Sequence, residues 1–118
     1  MDRKALDKLR AEFEEMRDAP HTGSAVARLA ERLGRKKVNR GKEPTYESEF
    51  DIPVLTIPMH GSKDLKRGTQ RNIFIQLEDD FIAWEQKLDY EERYATALEV
   101  ERKKRGLPVQ AKQNDNGS

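Results

Sequence analysis

The chain has no cysteine in 118 residues, which excludes disulfide cross-links and cysteine-based zinc sites and fits a reducing compartment. It has only two histidines, His21 and His60, so proton exchange by an unperturbed side chain near neutral pH is confined to those positions. No apolar run approaches the roughly 20 residues that span a bilayer, and Met1-Asp2-Arg3-Lys4 leads into charge rather than into a signal sequence. A cytoplasmic protein without membrane attachment is expected. Aromatic residues make up 7% of the chain, too few beside the cations to favour recognition of single-stranded bases by stacking. There is no internal repeat, and Gly41-Lys42 and Gly61-Ser62-Lys63 are too short for a phosphate-cradling loop, which argues against nucleotide hydrolysis.

What the chain does have is charge. Charged residues make up 38% and apolar ones 35%, the composition of one small domain with a modest core under a heavily charged surface. The net charge of +1 conceals a segregation: Lys and Arg stand 11 against 6 Asp and Glu over residues 28–71, but 6 against 9 over residues 72–105 and 5 against 6 over residues 1–27. A nucleic-acid contact is therefore expected in the middle of the chain, where cations can neutralise phosphates. A net charge so near zero argues against indiscriminate coating of nucleic acid.

Hydrophobic spacing sets out the elements. Leu6, Leu9, Phe13 and Met16 predict an amphipathic helix over residues 3–17, whose narrow seam either packs on its own domain or joins copies in a coiled-coil-like contact. Residues 18–23 end it, with His21 read as a solvated loop residue. Val26, Leu29, Ala30 and Leu33 predict a second helix of roughly ten residues from Ser24, closed by Gly34 in a left-handed conformation. Strands are predicted over residues 36–40, 45–50 and 54–57, the second alternating Tyr46, Ser48 and Phe50 with Glu47 and Glu49. Ile73, Leu77, Phe81, Trp84 and Leu88 then predict a helix capped by Thr69, and Asp89 with Glu92 three residues on resembles the start of another. That last helix carries a modest stripe of Tyr90, Tyr94, Ala97 and Leu98 before the cations Arg102 to Arg105, which suit the negative end of a helix dipole. The expectation is an α+β fold, a three-stranded antiparallel sheet packed by helices. The organisation expected is a helix over 1–20, a central domain over 22–88, a helix over 89–106 and a disordered tail over 107–118.

Between Ile57 and Thr69 the chain reads I-P-M-H-G-S-K-D-L-K-R-G-T, a histidine at a strand exit followed by three cations before a helix. This segment, with Arg32-Leu33-Gly34, the basic run from Lys36 to Gly41 and the helix start Arg71-Asn72-Ile73, resembles the HicA family of bacterial toxins over residues 24–77. The resemblance implies a fold like that of double-stranded-RNA-binding domains, extended here by helices at both ends. It also implies a type II toxin–antitoxin role, with metal-independent endoribonuclease cleavage of messenger RNA and a HicB-like antitoxin as protein partner. The sequence departs from the family's pattern where a G-S-H-H-like segment bears the cleaving histidine, for Gly41-Lys42-Glu43-Pro44 stands there. His60 is left as the one histidine within the region of resemblance.

Such cleavage needs a base, an acid and cations to stabilise a phosphorane-like charge. His60 is the candidate for proton transfer, with Glu43 or Tyr46 as its complement, or else a hydrogen-bonded pin between strand and helix. Lys36, Lys37, Arg40, Lys42, Lys63, Lys66, Arg67 and Arg71 are the candidate RNA contacts. Neither a metal nor another cofactor is expected. Glu78, Asp79 and Asp80 diverge by roughly 100° per residue on a helix, and Glu47 with Glu49 on one strand face makes a weak magnesium signal. The competing class is a non-catalytic RNA binder on the same scaffold, or an adaptor that binds a protein through its end helices.

Overall fold

The structure, a computed structural model, describes residues 1–38 and 43–106. In chain order it contains α1 (Arg3–Met16), α2 (Gly23–Arg32), β1 (Lys36–Val38), β2 (Thr45–Glu47), β3 (Leu55–Thr56) and α3 (Arg67–Lys104). The fold is α+β. Two compact units are distinguished, Met1–Glu85 and the segment from Gln86 onward, and α1 belongs to the first.

Local chemistry starts each of the first helices. The Asp2 carboxylate accepts the Ala5 N–H at 2.8 Å, and the Thr22 hydroxyl accepts that of Ala25 at 3.2 Å, each satisfying a donor that a helix start leaves open. Gly34 follows α2 with φ of 100°, the left-handed exit its position predicts. The strands pair antiparallel in the order β1-β2-β3, with Lys37 opposite Tyr46 and Tyr46 opposite Leu55. In β2 and β3 Tyr46 and Leu55 are buried while Glu47 and Thr56 are exposed, so one face meets the core and the other meets water, whereas on the edge strand β1 both Lys36 and Lys37 are exposed.

The strands are shorter than the alternation predicts. After Glu47 the Ser48 hydroxyl accepts the Phe50 N–H at 3.0 Å, turning the chain out of the ladder and bringing Phe50 edge-on to Trp84 at 4.9 Å. Glu49 therefore lies outside β2, and the shared strand face expected for Glu47 and Glu49 is not formed. The predicted continuation of β1 through Arg40 falls outside the described residues, as does the tail over 107–118.

The seam of α1 packs within its own unit. Leu6, Leu9 and Phe13 are buried, and the Phe13 ring stacks on Phe74 at 5.0 Å and tilts against Phe81 at 4.9 Å. Above these rings Arg10 lies 4.5 Å from the centre of Phe81 and bonds Glu78 at 2.6 Å, while Arg17 reaches the other Glu78 oxygen at 3.2 Å. Trp84 donates to the Leu33 carbonyl at 2.7 Å, fastening the end of α2 to α3.

A buried ion pair joins sheet and helix. Arg35 donates to both Asp80 oxygens at 2.8 Å, and its remaining nitrogen reaches the carbonyls of Tyr46 at 2.9 Å and Pro53 at 3.1 Å. Burial pushes the Asp80 carboxyl up, and the Arg35 hydrogen bonds oppose that shift.

Helix α3 differs from expectation at two places. It begins at Arg67, so Thr69 lies inside its first turn rather than capping it, and the Lys66 carbonyl accepts the Gln70 N–H at 2.9 Å. It also runs on through Asp89 without a new start, since residues 86–92 contain neither glycine nor proline to interrupt it. Among the described residues no helix is long and apolar enough to cross a membrane.

Candidate nucleic-acid interface

The segment joining β3 to α3 is anchored at both ends on the turn between α1 and α2. Ile57 is fully buried, and the next residue lays its carbonyl over Gly23, where a Cβ would come within 2.1 Å of the Pro58 oxygen. Only glycine permits that approach. Met59 rests its sulfur 3.9 Å from the Ser24 hydroxyl. The chain then turns through Gly61 at φ of 64°, and the Lys63 N–H closes the turn on the His60 carbonyl at 3.2 Å.

The far end is held by pairing and by one glutamine. Asp64 bridges Thr22, and the N–H of buried Leu65 donates to the His21 carbonyl at 2.9 Å. Gln70, 6% exposed, donates to the Ala19 carbonyl at 2.8 Å and accepts the His21 N–H at 3.0 Å. His21 is thus half-buried rather than solvated, and its Nε2 has no hydrogen-bond partner among the described residues. The pinning considered for His60 falls to Gln70 instead, through partners 49 and 51 residues away in sequence. No local pattern could have revealed it.

On this anchored loop and the first turns of α3, His60, Lys63, Lys66, Arg67 and Arg71 are all exposed. Among the described residues none of the four cations is engaged in an ion pair or side-chain hydrogen bond. Arg10, Arg17, Arg32 and Arg35, by contrast, are each held by a carboxylate. The first turn of α3 adds the positive end of the helix dipole beside Arg67 and Arg71. A groove of about 950 Å3 adjoins them, lined by Arg17, Arg67, Gln70 and Arg71 together with Leu65 and Phe74.

The other candidate residues are not gathered there to the same extent. Lys36 and Lys37 are exposed on β1, but neighbouring strand residues point to opposite faces. Arg40 and Lys42 lie outside the described residues. Glu43 is exposed just ahead of β2. Tyr46 is a core residue at 2% exposure, and burial, followed by the charge of Glu31, pushes its phenol up and away from proton exchange near neutrality. Of the acidic run, Glu78 turns to Arg10 and Asp80 to Arg35, and no group of three or more potential metal ligands forms among the described residues.

These features define a small α+β domain that displays an anchored cationic loop without carboxylate partners among the described residues. No protein-family model matches the chain, and no curated protein and no solved structure matches it.

Proposed function

We propose that this chain binds RNA through the loop and helix start over residues 57–71, as a HicA-like domain of the double-stranded-RNA-binding kind. The observation that carries the proposal is that Lys63, Lys66, Arg67 and Arg71 are exposed, without carboxylate partners among the described residues, on an anchored loop and the helix start that follows it. Neutralising phosphates is what uncompensated cations do best, and a fixed loop binds without first losing conformational freedom. The resemblance over residues 24–77 adds the biological reading: the toxin half of a toxin–antitoxin pair, neutralised by a HicB-like protein and cleaving messenger RNA with His60 as its proton-transfer group.

RNA binding without cleavage is the second reading, favoured by the burial of Tyr46, which withdraws one of the two groups considered as a complement to His60. Both readings share one test. Changing Lys63, Lys66 and Arg67 together to Ala should lower the slope of log affinity against log salt by roughly 2 to 3 units. An unchanged slope would put RNA binding elsewhere or nowhere. His60→Gln then separates the readings: RNA cut by the unaltered protein and spared by the variant supports the toxin, whereas RNA bound but never cut supports the binder.

A further inference from the structure

Two rows of α3 side chains line the groove beside the loop, and only one of them holds the fold together. Gln70, Phe74 and Glu78 form the inner row: Gln70 anchors the turn after α1, Phe74 stacks on Phe13, and Glu78 holds Arg10 and Arg17. Arg67, Arg71, Ile75 and Asp79 follow at steps of four as an outer row. All four are exposed, Ile75 by 61%, and among the described residues neither the two arginines nor Asp79 has an ion pair or a side-chain hydrogen bond. Asp79 is thus the member of the acidic run 78–80 that packing leaves unused. We infer that this groove takes one guanine nucleotide, its phosphate on Arg67 and Arg71 and its base edge on Asp79. On the RNA-binding reading, which this inference rests on and refines, that nucleotide is an unpaired guanosine beside the duplex.

The order of charges along the row selects the ligand. Two cations, an apolar side chain and a carboxylate match an occupant with an anion at one end, a flat apolar body and hydrogen-bond donors at the other. A nucleotide has that sequence of groups. The groove's volume of about 950 Å3 lies within the range of roughly 300 to 1,000 Å3 that small-molecule sites occupy. Arg71 and Asp79 stand about 12 Å apart along the helix axis, which leaves room for one nucleotide between their side chains. Residues 17–20 supply the other wall, with Pro20 as an apolar counterpart to Ile75. Asp18 on that wall is also unpaired among the described residues, so the groove disfavours a ligand that is anionic throughout. The carboxylate then chooses the base. Guanine alone among the four RNA bases carries two adjacent donors, N1–H and the 2-amino group, and one carboxylate accepts both. Adenine and cytosine set an acceptor beside their amino group, and uracil has a single N–H between two carbonyls, so each turns a lone pair toward the same carboxylate.

Titration of the full chain with mononucleotides and, separately, with duplex RNA tests the groove and the RNA reading independently. GMP should shift the amide resonances of residues 67–79 and bind roughly tenfold more tightly than AMP, while IMP, which lacks the 2-amino group, should lose most of that gain. A duplex ending in one unpaired G should exceed the same duplex ending in one unpaired A by a similar factor. Asp79→Asn should abolish both preferences without altering affinity for the blunt duplex, whereas Arg71→Ala should weaken all nucleotides together. Equal binding of GMP and AMP, or a guanine preference that survives Asp79→Asn, would overturn the inference. A guanine preference in the mononucleotides with no duplex bound at any salt concentration would uphold the groove's ligand and sink the RNA reading instead.

Discussion

Arg35 and Asp80 show how one side chain can decide the packing around it. Each is about 1% exposed, and the guanidinium satisfies four acceptors drawn from α3, β2 and the turn before β3. The cost of burying two charges is offset by that coordination, so the pair adds less to stability than its geometry suggests, while loss of one member strands the other. Asp80→Ala should destabilise the protein by about 3 to 5 kcal/mol, and Arg35→Met combined with Asp80→Leu by clearly less. Urea unfolding of Asp80→Ala and of the double variant measures this. Equal losses for Asp80→Ala and the double variant would mean that the stranded charge carries no penalty.

At the scale of elements, the loop before α3 is held by features at its two ends that respond oppositely to an added methyl. A Cβ at Gly23 meets the Pro58 carbonyl, a backbone atom with little room to yield, so Gly23→Ala should destabilise by about 1 to 3 kcal/mol and weaken RNA binding by displacing the loop. A Cβ at Gly68, in the first turn of α3, meets nothing within 4 Å, so Gly68→Ala should stabilise by about 0.5 kcal/mol. Thermal unfolding checks the signs, and a stabilising Gly23→Ala would contradict the close approach. The buried faces of the helices were legible because periodicity is local: Leu6, Leu9, Phe13 and Leu77, Phe81, Trp84 announce them unaided. The cationic loop was legible for the same reason. What holds it was not, since Gln70 and Gly23 act through partners that are distant in sequence, and Arg35 and Asp80 look like two charges among many. Short strands failed for a related reason: a serine hydroxyl capturing the Phe50 N–H ends β2 where alternation alone would continue it.

Across the first unit the charges divide into those that hold the fold together and those left open to solvent. Arg10 and Arg17 on Glu78, and Arg32 on Glu12, tie helix to helix, whereas the loop cations have no such partner among the described residues. The two sets should therefore answer to different variables. The hydrogen bond from Arg10 holds the Glu78 carboxyl below the usual carboxylate range, as that from Arg32 does for Glu12. A carboxylate whose folded-state pKa is depressed contributes stability that is present above its unfolded pKa and is lost as pH falls through the folded one. At Asp80 burial raises the carboxyl while the Arg35 hydrogen bonds oppose that shift, so the acid-sensitive stability rests on Glu78 and Glu12. The melting temperature should accordingly fall as pH drops from about 5 toward 3, and Glu78→Gln should flatten that fall while lowering stability at neutral pH. Changing Lys63, Lys66 and Arg67 to Ala should leave the same curve in place, because those cations face water rather than carboxylates. Melting curves collected across that range decide the matter. If Glu78→Gln ran parallel to the unaltered protein while the loop variant changed shape, the charges holding the fold would lie in the loop, and the division drawn here would be reversed.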